Sequence, residues 1–125
     1  MRIKGVVWLG TRTERFDEMR EFFLHITGVE PRIDAPGFVV FDLASGDRLE
    51  VFGAKNGQKS HMEAPVAGFL VDDVPAARAE LEARGIEFLD DIRRADDGNC
   101  WSHFRAPDGH VYELTEQPGH PAHET

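Results

Sequence analysis

Apolar and polar positions along the first half of the chain predict a strand, a helix and a hairpin. Residues 3–10 are rich in β-forming side chains, and residues 37–43 and 47–53 read as two strands joined by a turn. Thr13 is expected to cap the helix between them, and Gly28 is expected to end it. The apolar residues of that helix recur at helical spacing, at Phe16, Met19, Phe23 and Ile26.

The second half predicts the same order of elements. Residues 64–71 form an apolar strand, and residues 74–85 form a helix that ends at Gly85. One face of this helix carries Val74, Ala77 and Leu81. Three further strands are predicted at residues 86–90, 100–106 and 110–116.

A short motif occurs in both halves of the chain. Phe41, Gly46 and Glu50 are spaced like Phe104, Gly109 and Glu113, at a constant offset of 63 residues. Because each motif follows the same order of strand, helix and strands, the chain is interpreted as two βαβββ modules, about residues 1–57 and 62–117, within one domain of residues 1–125. The alternative is two unrelated hairpins that share a turn glycine. Residues 118–125 are expected to be a flexible tail.

The repeated glutamates interrupt apolar strands. Side chains alternate between the faces of a strand, so Leu49 and Val51 should pack against the helix, as should Tyr112 and Leu114. Glu50 and Glu113 should then point to the opposite face, where carboxylates serve metal ligation, acid–base chemistry or binding of a cation. The alternative is that both glutamates face solvent on a half-exposed sheet.

Composition excludes several classes of function. The formal net charge of −9 disfavours binding to nucleic acid or anionic lipid. The single cysteine, Cys100, excludes an intrachain disulfide and fits a reducing compartment. The N-terminus has too short an apolar run for a signal peptide, so a cytoplasmic location is expected.

The chain resembles the vicinal oxygen chelate superfamily, which includes glyoxalase I, bleomycin-resistance proteins and extradiol dioxygenases. The resemblance is carried by "FRAPDGHVYEL" at residues 104–114 and by "FDEMREFFLHITGVEP" at residues 16–31. It implies an α+β fold in which two tandem βαβββ modules form a cup-shaped cleft, commonly in a homodimer.

The resemblance also implies where a metal would bind. The family draws one ligand from the first strand and one from the last strand of each module. These positions fall on Trp8 and Glu50, and on Val66 and Glu113. Trp8 and Val66 cannot bind a metal, which argues against glyoxalase I and extradiol dioxygenase activity and leaves at most a weak divalent ion. His103 is the best substitute ligand, because alternation places it on the face of Glu113. His61 could fold over the cleft, but the favoured interpretation is a plain surface histidine.

The same face carries aromatic and charged side chains of the kinds that line small-molecule pockets. Its candidate ligand-binding residues are Trp8, Phe52, Trp101, His103 and Arg105. One hypothesis is a binding or sequestration protein for an organic ligand, with no tightly bound cofactor. The other is a lyase or isomerase that uses Glu113 or Glu50 as a base or as a ligand of a weakly bound divalent metal. A third reading treats Trp8 and Trp101 as core residues.

Overall fold

The computed structural model describes residues 1–55 and 62–123. In this part of the chain it contains two helices, α1 (Phe16–Thr27) and α2 (Val74–Ala83). Its strands are β1 (Gly5–Thr13), β2 (Ile33–Ala35), β3 (Phe38–Asp42), β4 (Arg48–Gly53), β5 (Val66–Leu70), β6 (Glu87–Phe88), β7 (Arg93–Arg94), β8 (Cys100–Arg105) and β9 (Val111–Glu116). The predicted α+β fold with two βαβββ modules is confirmed. Neither described helix is long and apolar enough to span a bilayer.

The backbone groups into two compact units. The first unit, Trp8–Val66, pairs its strands in the order β2, β3, β4 and β1. The β2–β3 and β3–β4 pairs are antiparallel, whereas β1 runs parallel to β4. Its core contains Val39, Phe41 and Val51, against which residues of α1 pack. Leu49 and Val51 therefore face the helix, as predicted.

The second unit comprises Met1–Val7 and Ala67–Thr125. Its strands pair in the order β5, β9, β8 and β6, with β7 also on β8. The β5–β9 pair is parallel, and β8–β9 is antiparallel. The core joins Val74 and Ala77 of α2 to Phe104 and Leu114, and Leu81 and Tyr112 pack against it as predicted.

The N-terminal residues belong to the second unit. The Lys4 backbone N–H donates to the Leu70 carbonyl at 2.8 Å. The Lys4 ammonium lies 2.7 Å from Asp72, and the terminal amine lies 2.8 Å from Glu80. The sequence pattern had assigned this segment to the other module, because it is contiguous with β1.

Several local predictions need correction. Thr13 does not cap α1: the N-cap is Arg15, without a side-chain cap bond, and the Thr13 hydroxyl accepts the Arg15 N–H instead. Gly28 does end the helix in the left-handed conformation, with φ of 67°. Ile26 is 55% exposed, and Leu24 packs on the core in its place. The sequence also gave no signal for β2 and β7, which are too short to show alternation. His61 lies outside the described residues.

Candidate functional site

The second unit places Glu113 and His103 side by side on the face away from α2. In the β8–β9 ladder His103 is the register partner of Glu113, and Trp101 is the partner of Thr115. Gly68 of β5 completes the row on the other side of Glu113. Alternation therefore puts Trp101, His103 and Arg105 on the face of Glu113, as the sequence predicted.

Both side chains of this pair are buried. His103 is 2% exposed and Glu113 is 5% exposed. The His103 backbone N–H donates to Asp90, and its carbonyl accepts the Leu89 N–H, so its backbone groups point away from β9. Such a non-hydrogen-bonded pair brings its side chains close together. The His103 Nε2 lies 3.9 Å from the Glu113 Oε1. A solvent-facing Glu113 is therefore excluded.

Asp90, in the loop after β6, holds the His103 ring. Its Oδ2 lies 2.7 Å from His103 Nδ1. Burial on its own would raise the Asp90 pKa, but the hydrogen bonds and charge of His103, with the bond from Ser102, outweigh it and hold the pKa below its ordinary value. An ionised Asp90 accepts a hydrogen bond, so Nδ1 carries the proton and Nε2 is the nitrogen turned towards Glu113.

Sequence reasoning missed Asp90. It follows a two-residue strand and precedes a second aspartate, Asp91, and nothing in the local pattern separates the two. Only the pairing of β6 with β8 brings one of them to His103. The single local signal is that a carboxylate lies two residues after a strand of the same module.

The opposite face of the second unit carries Cys100, away from this pair. The buried thiol donates to Glu116 Oε2 at 3.1 Å, and the same oxygen accepts the Val74 N–H at the start of α2. Burial, and then the bond to Glu116, raise the pKa of Cys100 to about 12. A protonated, buried thiol is a poor nucleophile, so Cys100 is a structural residue.

The first unit places Trp8, Glu50 and Phe52 on the face away from α1. Gly10 is the register partner of Glu50, and Trp8 lies two residues before Gly10 on the same strand. The Trp8 ring covers Gly10, since a Cβ at that glycine would come within 2.1 Å of the indole. The Trp8 Nε1 donates to Glu50 Oε2 at 2.9 Å. Glu50 is therefore the acceptor of an indole N–H.

The register also tests the predicted metal positions. Gly68 pairs with Glu113 as Gly10 pairs with Glu50, so Val66 occupies the position of Trp8. Neither residue offers a ligand atom. Among the described residues, no group of three His, Cys, Asp or Glu side chains is arranged to hold a metal ion. The donor set of the described residues therefore does not fit the tightly bound metal that the family resemblance implies.

The remaining predicted site residues differ in their surroundings. Phe52 is buried and stacks on Phe38, with ring centroids 5.3 Å apart. Trp8 is buried too, whereas Trp101 is half-buried. Arg105 is exposed at the end of β8, and its guanidinium donates to the Gly109 carbonyl at 2.7 Å. Arg105 thus braces the hairpin turn in this structure.

The sequence profile of the glyoxalase, bleomycin-resistance protein and dioxygenase superfamily matches residues 5–114. The chain belongs to this superfamily. No curated protein matches it closely enough to be counted as a relative.

Solved structures share the fold at low sequence identity. A methylmalonyl-CoA epimerase of Streptomyces coelicolor, in complex with 2-nitronate-propionyl-CoA, is 18% identical with a TM-score of 0.69, over 99% of this chain and 100% of that one. A superfamily member from Vibrio splendidus 12B01 is 16% identical with a TM-score of 0.65, over 90% and 98%. A chain described as a benzaldehyde dehydrogenase of Legionella pneumophila is 15% identical with a TM-score of 0.65, over 87% and 96%. These likenesses establish the fold alone.

Proposed function

We propose that this protein binds or sequesters a small organic molecule and holds no tightly bound transition metal. The observation that carries the proposal is the nature of the groups beside the two glutamates. Glu50 accepts a hydrogen bond from an indole, and Glu113 faces an imidazole that Asp90 orients. Apolar surface with a few fixed polar groups is the usual makeup of a small-molecule site.

The face around Glu113 supports recognition of a polar group on the ligand. A carboxylate and an imidazole that are both buried interact strongly with any group brought next to them, because the surroundings are poor in water. Burial of a carboxylate is costly in free energy, and a fold retains that cost most readily where the group contributes to binding. Glu113 is accordingly proposed as the main polar contact.

A ligand screen in the absence of metal tests this proposal. The chelator-treated protein is screened by thermal shift against a library of small organic molecules, and dissociation constants of the hits are measured by calorimetry. Glu113→Gln should weaken binding at least tenfold, about 1.4 kcal/mol, since it removes the charge and keeps the shape. Glu87→Gln, at an exposed position of β6, is the matched control and should bind normally.

Two outcomes would contradict the proposal. One is a hit whose affinity is the same in Glu113→Gln as in the wild-type protein. The other is elemental analysis that finds one transition metal per chain after purification, because a metal held that tightly needs a ligand set that Trp8 and Val66 do not supply.

A lyase or isomerase is the second candidate, and the Asp90–His103 contact favours it. An imidazole with a fixed Nδ1–H can accept a proton at Nε2, beside a carboxylate that can do the same. Because methylmalonyl-CoA epimerases share the fold, methylmalonyl-CoA in D₂O is a suitable first substrate. Enzyme-dependent loss of its C2 proton signal, abolished by Glu113→Gln, would support this candidate. No loss of that signal, with or without Mg²⁺, would exclude this substrate.

We also propose a homodimer as the assembled form. Phe22 and Ile26 on α1 are 51% and 55% exposed, and exposed apolar side chains of this size are common at protein interfaces. A monomeric mass by light scattering at micromolar concentration would contradict it.

A further inference from the structure

The segment that precedes β1 borders a surface cavity of the second unit. The cavity measures about 350 Å³ and is lined by Arg2, Ile3, Lys4 and Ala122. Its volume lies at the lower end of the roughly 300–1,000 Å³ that is typical of small-molecule pockets. None of the lining residues lies on β8 or β9, the strands that carry the buried histidine and glutamate. The cavity is therefore formed by other elements of this unit.

One wall of the cavity is fixed to the end of β5 and to the residues that follow it. The Lys4 backbone N–H donates to the Leu70 carbonyl at 2.8 Å. The Lys4 ammonium lies 2.7 Å from Asp72 Oδ2, and only 10% of the Lys4 side chain is exposed. The charge of Lys4 is thus offset by a carboxylate, and its hydrocarbon stem contributes a fixed surface to the wall.

The other wall belongs to the C-terminal tail, whose turns hold Ala122 in place. The His120 backbone N–H donates to the Gln117 carbonyl at 2.9 Å, and the Ala122 N–H donates to His120 Nδ1 at 3.0 Å. His123 Nδ1 lies 3.9 Å from Asp72 Oδ1, and 10% of the His123 side chain is exposed. Asp72 therefore has one oxygen beside the N-terminal segment and the other near the tail, so both walls adjoin the same residue.

Arg2 supplies the charge of the cavity. Its side chain is exposed, and among the described residues its guanidinium takes part in no hydrogen bond and no ion pair. A guanidinium is charged at every ordinary pH, and its planar set of N–H donors fits a carboxylate. Ile3 is 48% exposed and, with Ala122, adds apolar surface next to this charge. The cavity thus combines an unpaired cation with a small apolar wall.

We propose that this cavity binds a small organic carboxylate, whose anionic end accepts hydrogen bonds from Arg2 and whose apolar end lies against Ile3 and Ala122. The site goes beyond the proposed function, and neither depends on the other. The net charge of −9 makes the chain as a whole repel anions, and a guanidinium without an ion pair counteracts that repulsion locally. A single negative charge suits the site better than a phosphate dianion, because Asp72 stands beside Lys4 and would repel the second charge.

Titration of the ¹⁵N-labelled full chain with butyrate, followed by NMR, tests the proposal. The backbone amide signals of Ile3, Lys4 and Ala122 should shift together, with one dissociation constant in the millimolar range. Butanamide has the same shape without the charge and should bind about tenfold more weakly, because charge-assisted hydrogen bonds are lost. Acetate should also bind more weakly than butyrate, since it lacks the apolar end.

Variants at the two walls separate the charge from the cavity. Arg2→Gln should weaken butyrate binding by about tenfold and leave the fold intact, because the side chain is exposed. Arg84→Gln, at an exposed arginine next to the end of α2, is the matched control and should bind butyrate normally. Ala122→Phe keeps the charge of Arg2 but fills the cavity, so it should prevent binding.

Several results would overturn the proposal. Equal affinities for butyrate and butanamide would show that the charge is not recognised. Equal losses in Arg2→Gln and Arg84→Gln would show only a general attraction of anions to surface cations. Unchanged binding in Ala122→Phe would place the ligand outside the cavity. Tighter binding of inorganic phosphate than of butyrate would contradict the carboxylate class, and no shift with butyrate at tens of millimolar would contradict the site itself.

Discussion

The two units carry a glutamate at equivalent strand positions, but the side chains next to it differ. In the first unit the β3 residue in register with Glu50 is Val40, and in the second unit the β8 residue in register with Glu113 is His103. Val40 and His103 are related by the offset of 63 residues. The partner of Glu50 comes instead from the first strand, as the indole of Trp8. The polar neighbour thus comes from the first strand of the module at Glu50 and from the antiparallel neighbour β8 at Glu113.

This difference changes which hydrogen-bonding roles the neighbour of each glutamate can take. An indole N–H only donates and does not titrate in water, so Trp8 can act only as a hydrogen-bond donor to Glu50. An imidazole can donate, accept or carry a charge, so the His103–Glu113 pair has several. The same strand position therefore carries a glutamate in both units, and the neighbouring side chain decides which hydrogen bonds that carboxylate can make.

The largest expected effect concerns the thiol of the second unit. A pKa raised from 9.0 to about 12 lowers the thiolate fraction of Cys100 at pH 8 by about a thousandfold. Iodoacetamide should accordingly label the native protein about a thousandfold more slowly than the unfolded chain, as followed by mass spectrometry. Because Cys100 is the only cysteine, labelling reports on the second unit alone. Rapid labelling of native protein would mean that this unit opens readily and that the side chains of His103 and Glu113 are not kept buried.

Truncation of a core side chain in each unit should have the next largest effect. Phe41 and Leu114 are both fully buried, one in each unit. Phe41→Ala and Leu114→Ala should each lower the free energy of unfolding by about 3–4 kcal/mol, because a cavity adds to the lost apolar burial. Urea unfolding followed by circular dichroism measures both. One transition in each variant would mean that the units unfold together, whereas two transitions, with only one shifted, would make them independent.

Trp8→Phe should have a smaller effect, confined to the first unit. The change keeps an aromatic ring over Gly10 and removes the N–H that Glu50 accepts. Loss of a hydrogen bond to a half-buried carboxylate should destabilise the protein by about 2 kcal/mol. The double variant Trp8→Phe with Glu50→Gln tests the coupling: if both single changes simply add, the indole and the carboxylate do not stabilise each other.

The smallest expected effect is a pH dependence from Asp90. Its pKa in the folded protein lies below the ordinary value of 3.8, so its ionised form stabilises the fold. That contribution should be complete above about pH 5 and should be lost as the pH falls through the folded pKa. The stability difference between wild type and Asp90→Asn should therefore shrink as the pH falls from 5 towards 3. Asp91→Asn should show no such trend; a similar trend there would assign the effect to general acid unfolding.

Much of the site could be read from local pattern. Strand alternation gave the correct face for Glu50, Glu113 and His103, because the side-chain period of two is a property of the backbone. Trp8, two residues before the register partner of Glu50, does lie beside that glutamate, since its indole donates to the carboxylate. Asp90 was missed, since its contact with His103 depends on a short strand that no alternation pattern reveals.

The sequence by itself determined the order of elements, the repeat and the faces on which the glutamates lie, because these follow from hydrophobic period and turn residues that act over a few positions. Tertiary structure alone decided which partners those glutamates have. The Trp8–Glu50 bond joins residues 42 positions apart, and the Asp90–His103 contact joins residues 13 apart. Contacts at such separations depend on strand register and side-chain burial, which are set only when the whole sheet has formed.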